Sequence, residues 1–156
     1  MSTSLREVAI DLMDDYASLI DADRLEDWLD LFTEDATYRI VPRENFDRGL
    51  PAPLMLCTSK DMLRDRVLSL RQANEYNPHY DRHLVTNIRA KADGAESVRI
   101  EAHYLVLQTN LEGQSRLFST GRYQDRARLE GGRLLFTEKL VIVDTFSVPT
   151  LLATPL

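Results

Sequence analysis

Cysteine is almost absent from this chain of 156 residues, which contains only Cys57. A single cysteine cannot form an internal disulfide, and such a count is typical of a reducing compartment. Basic residues are also in the minority, because 19 Lys and Arg stand against 25 Asp and Glu, a net charge of -6. A nucleic-acid binder needs a basic face to neutralise phosphates, so the sequence argues against that class.

Long hydrophobic runs are missing as well. The apolar positions from Leu5 to Ile20 are interrupted by charged residues, and no stretch approaches the length that spans a bilayer. We therefore expect a cytoplasmic protein without a membrane partner. With 44% hydrophobic residues the chain can bury one sizeable core, but it is too short for two ordinary domains. A single domain over residues 1–156 is expected.

Hydrophobic periodicity predicts helices in the first half of the chain. Ser4 and Glu7 form a capping-box pattern before an apolar stripe that ends at Ile20, and Asp23 with Glu26 repeats that pattern before a second helix. A strand over Thr37–Val41 should stop at Pro42, and a loop that contains Asn45 should continue to Pro53. A third helix, Asp61–Arg71, is expected to be capped by Thr58 or Ser59.

The chain after Arg82 alternates between apolar and polar residues, as strands do. Four long strands are predicted, with hairpin turns at Asp93-Gly94, Glu112-Gly113 and Gly131-Gly132. Helices followed by an antiparallel meander indicate an α+β fold, in which N-terminal helices pack on one face of a curved, mainly antiparallel sheet.

Several motifs, in this order, resemble one known family. They are the segments Trp28–Tyr38, Met62–Val67, Asn77-Pro78, Arg82–Ile88, Phe118–Asp125 and Lys139–Asp144. Together they resemble the small (β) subunit of Rieske non-haem iron aromatic-ring-hydroxylating oxygenases. Tyr38–Pro51 and Ser59–Val67 are most similar to small subunits of enzymes acting on aromatic carboxylates, such as salicylate 5-hydroxylase and terephthalate dioxygenase.

The resemblance implies a fold, a role and a partner. It implies a cone-shaped fold similar to nuclear transport factor 2 and an α3β3 hexamer. The large (α) subunit of that hexamer would carry a Rieske [2Fe–2S] cluster and mononuclear Fe(II), with electrons supplied by a reductase or ferredoxin. This chain would then be a non-catalytic structural subunit without a cofactor of its own.

The metal ligands of the chain can be weighed separately from the resemblance. A Rieske centre needs two cysteines and two histidines, so Cys57 alone cannot provide it. His79, Asp81 and His83 have the composition of a mononuclear iron site. In an extended strand the two histidines are about 13 Å apart, so only a helical turn would bring them together. A polar turn that leads into a strand is the favoured interpretation, and Cys57 is expected to be a small buried apolar residue.

A second functional class remains open because cone folds also host lyases and isomerases. Such enzymes place an Asp or His base and a Tyr donor inside the cone. The residues of suitable type here are Tyr16, Tyr38, His103, Tyr104 and Asp144. His103 and Tyr104 are adjacent in a predicted strand and should point to opposite faces, which weakens this alternative.

A docking surface is predicted from charged and apolar residues at unusual places. The Asp61–Arg71 helix and the strand that opens at Arg82 should face a partner, and arginines on the helix could form ion pairs with it. The apolar tail that ends at Leu156 suggests burial against another chain. The residues predicted at a subunit interface are Arg43, Glu44, Asn45, Arg66, Arg82, His83 and Leu156.

Overall fold

The structure is a computed structural model that describes residues 3–50, 52–72, 79–144 and 155–156. Four helices and six strands follow one another within these described residues. They are α1 (Leu5–Asp21), α2 (Leu25–Trp28, followed by a 3-10 turn over Leu29–Leu31), β1 (Phe32–Pro42), α3 (Arg43–Asp47), β2 (Met55–Cys57), α4 (Lys60–Gln72), β3 (His79–Ala92), β4 (Ser97–Asn110), β5 (Ser115–Glu130) and β6 (Arg133–Val143).

The six strands form one sheet in the order β2-β1-β6-β5-β4-β3. Strands β3 to β6 pair antiparallel in sequence, which confirms the predicted meander. The sheet is mixed because β1 lies parallel to β6 and antiparallel to β2. Gly94 turns the first hairpin with φ +111°, a conformation that glycine adopts without a steric penalty.

Helix α1 packs on what we call the inner face of the sheet. Its capping box is confirmed, since the Ser4 hydroxyl accepts from the Glu7 amide at 3.2 Å and the Glu7 carboxylate accepts from the Ser4 amide at 2.6 Å. The apolar stripe of α1 is buried together with the inward residues of β1 and β3 to β6 in one large core. Alternate residues of the same strands point to the opposite side, which we call the outer face.

Several local predictions were wrong at the start of the chain. The second helix is only four residues long, and Arg24, not Asp23, precedes it, because Asp23 adopts φ 57° in a turn. The predicted loop after Pro42 contains helix α3, so Asn45 lies within a helix. Strand β2 was not predicted at all, because three residues are too few to show an alternation.

The third predicted helix and the strand after it lie where they were predicted, but both are longer than predicted. Helix α4 starts at Lys60, and the Ser59 hydroxyl caps it by accepting from the Met62 amide at 3.3 Å. Strand β3 starts at His79 and not at Arg82. The predicted turn at Asn77-Pro78 and most of the predicted tail, residues 151–154, lie outside the described residues.

Candidate functional site

A buried ion pair lies in the inner core, where strands β5 and β6 run side by side. Asp125 and Lys139 are directly opposite each other in the register of these strands. Lys139 Nζ donates to Asp125 Oδ2 at 2.8 Å, and neither side chain is exposed. The other carboxylate oxygen, Oδ1, accepts from the Leu140 amide at 3.3 Å. Both charged groups are therefore held by partners within the chain.

Aromatic rings enclose the ammonium group of this pair. Lys139 Nζ lies 3.4 Å from the ring centroid of Tyr123, 4.1 Å from that of Tyr16 and 4.8 Å from that of Phe136. Ring faces attract a cation, and the attraction is stronger where water is excluded. The rings thus replace part of the hydration that the ammonium loses on burial.

Burial shifts the pKa values of both partners toward neutrality. Loss of hydration raises the pKa of Asp125 to about 6, although the neighbouring Lys139 opposes the shift. The same loss lowers the pKa of Lys139 to about 8, against the opposing effect of Asp125. Perturbed pairs of this kind occur at catalytic sites and also in structural ion pairs. The pair is therefore the strongest candidate for acid–base chemistry in the described part of the chain.

Sequence reasoning missed this pair, although the chain carries a signal for it. Asp125 is in phase with Tyr123 and Ala127, and Lys139 is in phase with Val141, all of which are buried. A charged residue at an inward position of an alternating strand indicates a buried partner. Which partner it has depends on the register between β5 and β6.

Two tyrosines close the inner core beside the ion pair. The hydroxyl groups of Tyr16 and Tyr38 lie 3.1 Å apart, and both donate to the main-chain oxygen of Leu156. The Leu156 amide in turn lies 3.2 Å from the Tyr38 hydroxyl. Burial raises the pKa of both phenols, so they stay protonated donors. Tyr16 is therefore a core aromatic residue.

A small hollow opens next to these tyrosines. Its walls come from β1, β2 and the helices α2 and α4, and the lining residues include Trp28, Tyr38, Leu63 and Arg66. The free volume is about 20 Å³. That space holds about one water molecule and is too small for an aromatic ring.

The Asp and the His considered for a lyase or isomerase lie apart from the tyrosines of the inner core. Tyr104 is buried and bonds to the Ser119 hydroxyl at 2.9 Å, whereas His103 is exposed on the outer face. The prediction that these neighbours point to opposite faces is confirmed. Asp144 is exposed and lies 3.7 Å from Arg43. Of the five residues, the three tyrosines, Tyr16, Tyr38 and Tyr104, lie in the inner core.

The residues considered for iron do not form a ligand set. His83 Nδ1 lies 2.6 Å from Asp21 Oδ1, and the His83 ring is fully buried. His79 Nε2 lies 3.4 Å from Asp81 Oδ1 on the same strand. No group of three or more His, Cys, Asp or Glu side chains that could hold a metal occurs in the described residues. Cys57 is buried, and burial raises the pKa of its thiol.

Five of the seven predicted interface residues lie at the surface. Arg43 pairs with Asp47 within helix α3, Glu44 pairs with Arg48 just after that helix, and the Asn45 amide donates to the Ala52 carbonyl at 3.2 Å. Arg66 and Arg82 are exposed on α4 and β3 and form no ion pair with the described residues.

His83 and Leu156 are buried inside their own chain instead. The His83 amide and ring both bond to Asp21, and Leu156 is 1% exposed in the inner core. Neither offers a side chain to a second protein in this arrangement. Whether any of the seven residues contacts another subunit stays a prediction.

Two helix arginines that could pair with a partner are paired within the chain. Arg64 bonds to Glu34 and Asp61, and Arg71 bonds to Asp23 and Glu26 at 2.8 Å each. These contacts fasten α4 to the turn after α1 and to β1.

The described geometry defines a class: an α+β protein with a helix on the inner face of a six-stranded sheet and an interior filled by its own side chains. The family model "Ring hydroxylating beta subunit" matches residues 16–150. The chain belongs to this family, as the motifs indicated. None of the helices in the described part of the chain is long and apolar enough to cross a membrane.

Individual relatives agree with this assignment over nearly their whole length. The chain is 44% identical to the small subunit of anthranilate 1,2-dioxygenase of Burkholderia cepacia, over 93% of this chain and 90% of the relative. It is 33% identical to a terephthalate 1,2-dioxygenase beta subunit of Comamonas sp., over 90% and 92%. A solved beta subunit, assigned to an aromatic-ring-hydroxylating dioxygenase of Novosphingobium aromaticivorans, is 41% identical, with TM-score 0.88 over 97% and 96%.

More distant structures share the fold alone. One is a protein with a cystatin-like fold from Nostoc punctiforme, which is 18% identical with a TM-score of 0.68. The cone-shaped fold similar to nuclear transport factor 2 is thereby confirmed. The chain is a beta subunit of the oxidoreductase type, and its relatives are subunits of dioxygenase complexes.

Proposed function

We propose that this chain is a non-catalytic subunit that stabilises the large subunit of a ring-hydroxylating oxygenase. Two kinds of observation support the proposal. The family assignment indicates a complex, and the filled interior of the chain argues against a separate active site. The proposed complex is an α3β3 hexamer in the cytoplasm, in which the large subunit receives electrons from a reductase or ferredoxin.

The observation that carries the non-catalytic role is the packing of the inner core. In cone-fold enzymes the substrate occupies the space between helix and sheet. Here Lys139 and the rings of Tyr16 and Tyr123 fill that space, and Leu156 lies against the two tyrosine hydroxyls. The hollow beside them holds about one water molecule. A substrate could enter only if this core were opened.

We assign the metal centres to the large subunit because the described part of this chain lacks the sets of side chains that would bind them. A Rieske cluster needs two thiolates and two imidazoles, and this chain has one cysteine. Asp21 holds His83 at Nδ1, 2.6 Å away, and the described residues place no set of three or more His, Cys, Asp or Glu side chains together as an iron site requires. The residues present therefore do not fit either group. When bound to the large subunit, the metals would supply the oxygen chemistry, and this chain would supply none of its steps.

Aromatic carboxylates are the proposed substrates of the complex. The support comes from relatives at 44% and 33% identity, whose names specify anthranilate and terephthalate. Both compounds are benzene rings that carry a carboxylate. The proposal extends this shared chemistry to the oxygenase of which this chain is a part.

A stand-alone lyase or isomerase is the second candidate, and one observation favours it. Asp125 and Lys139 have pKa values near 6 and 8, which suit proton transfer near neutral pH. Their complete burial weighs against it, because a catalytic group must reach its substrate.

The two candidates differ in what the chain carries when purified. The chain, tagged at its N-terminus in its source cells, should bring down a larger subunit that contains iron and acid-labile sulfide. The same chain produced alone should contain no stoichiometric iron. A homo-oligomer without an iron–sulfur partner would contradict the proposal and favour the lyase or isomerase. Stoichiometric iron in the isolated chain would also contradict it.

A further inference from the structure

Four leucines form a continuous patch on the outer face of the sheet. Leu84 of β3 lies directly opposite Leu105 of β4, and Leu107 of β4 lies directly opposite Leu117 of β5. Opposed side chains in a sheet lie about 5 Å apart, so each pair lies side by side, and Leu105 and Leu107 follow each other on the outer side of β4. Leu84 is 47% exposed and Leu117 is 54% exposed. We call these four residues the leucine patch.

The other end of the outer face shows how such a surface is normally covered. There, Phe46 of helix α3 packs on Val41, Leu140 and Ile142, which form a second small core. Within the described residues, no helix covers the leucine patch in the same way. Exposed apolar side chains that adjoin one another mark an interaction surface.

The charges around the patch indicate what it would bind. Arg82 lies opposite Leu107, and His103 and Arg122 lie opposite each other at its border. The outward residues at 80–86, 103–109 and 117–122 of the described structure include no carboxylate, and Asp144, whose amide bonds to Thr120 at the border of the patch, pairs with Arg43 at 3.7 Å. An apolar centre with a cationic rim is complementary to a protein surface that combines apolar side chains with carboxylates.

A second copy of this chain is a poor fit to the patch. A two-fold contact through the patch would set its cationic rim against the cationic rim of the other copy, and like charges at an interface repel. The exposed carboxylates of α1, such as Asp11, Asp14 and Asp15, lie on the opposite side of the sheet. A contact between opposite sides of one molecule is heterologous, and it closes into a ring only at particular rotation angles.

We propose that the leucine patch, with Arg82 at its rim, is the docking surface for the large subunit. This inference rests on the proposed function and specifies the part of the chain that makes the contact. The partner would present apolar residues to the leucines and carboxylates to Arg82. Helix α4 would then lie outside the central contact.

The test compares two leucines on one strand. Leu117→Asp places a charge in the patch, and Leu129→Asp places the same charge at the far end of β5, where Leu129 is 40% exposed. Each tagged variant is purified from source cells, and iron and acid-labile sulfide are measured per chain. Leu117→Asp should reduce the captured large subunit roughly tenfold or more. Leu129→Asp should capture as much as the wild type. Arg82→Glu should reduce capture, and Arg89→Glu on the same strand should not.

A second measurement requires no variant. Amide hydrogen exchange of the wild-type chain, alone and in the complex, should slow in β3, β4 and β5 next to the patch. Unchanged exchange there, or full capture by a folded Leu117→Asp, would overturn the inference. Loss of self-association in Leu117→Asp with unchanged capture would assign the patch to a second copy and also overturn it. A wild-type chain that captures no iron–sulfur subunit would refute the proposed function itself.

Discussion

At the scale of single residues, Asp125 and Lys139 illustrate how a buried ion pair constrains a fold. Removing one partner leaves the other charge without compensation in the core, which costs about 3 to 5 kcal/mol. Asp125→Leu or Lys139→Met alone should therefore lower the free energy of unfolding by that amount. The double variant should lose less than either single variant, because no buried charge remains. Urea unfolding at pH 7 of the four proteins checks this, and additive losses would contradict it.

The same pair should give the protein a characteristic pH dependence. The pKa of Asp125 is raised to about 6 in the folded chain, so the folded state binds a proton that the unfolded state, with a pKa of about 3.9, releases. The free energy of unfolding should then fall by about 2 to 3 kcal/mol as pH rises from about 4 to about 6.

The lysine produces the opposite slope at alkaline pH. The pKa of Lys139 is lowered to about 8, and the free energy of unfolding should rise as pH increases from about 8 to about 10.4. Subtracting the curve of the Asp125→Leu/Lys139→Met variant isolates both effects from those of other groups. The difference should be lowest between pH 6 and pH 8. Two parallel curves would show that the pair does not titrate as its burial implies.

Alternation along the strands predicted which residues point inward, but not what they meet there. The opposite orientations of His103 and Tyr104 follow from a period of two, and they were predicted correctly. The pairing of Asp125 with Lys139 depends on the register between two strands, which local sequence does not determine. The burial of Leu156 depends on a contact with Tyr16 and Tyr38 from distant parts of the chain.

At the scale of elements, Arg71 fastens the end of helix α4. Its guanidinium bonds to the carboxylates of Asp23 and Glu26 and to the Asp23 carbonyl. Arg71→Ala removes these bonds, which in a partly exposed network contribute about 1 kcal/mol or less. Amide exchange in the last turn of α4 should then become up to roughly fivefold faster. Arg64→Ala, earlier on the same helix, should leave that turn unchanged, and equal effects of both variants would contradict this account.

Long helices and strands, in which the hydrophobic pattern repeats several times, were predicted well. Short elements and pairings between distant segments were not. Helix α1, helix α4 and the four-strand meander repeat their pattern often enough to be recognised. Helix α3 has only five residues and no buried one, so it leaves no periodic signal. The parallel pairing of β1 with β6 joins two segments that are far apart in the sequence, and no local pattern encodes it.

At the scale of the whole molecule, the two faces of the sheet have different roles. The inner face is closed by α1, the aromatic rings and the Asp125–Lys139 pair, and it determines the stability of the chain. The outer face is covered by α3 at one end and carries the leucine patch at the other. A chain with a closed interior can influence an oxygenase only through its surface, so its effects should appear in assembly and not in chemistry.

This division leads to a prediction about the products of the assembled enzyme. Arg82→Ala removes a charge from the rim of the leucine patch, and Arg66→Ala removes one from α4, the other predicted interface element. A desolvated charge pair that loses one side costs about 2 to 5 kcal/mol, so Arg82→Ala should lower the yield of complex. Arg66→Ala, on a helix that lies outside the proposed contact, should leave the yield unchanged. The complexes that still form should hydroxylate the ring at the same position as the wild type, because neither arginine would contact substrate. The measurement is the product distribution per intact complex, and a changed hydroxylation position at unchanged assembly would show that this subunit shapes the active site.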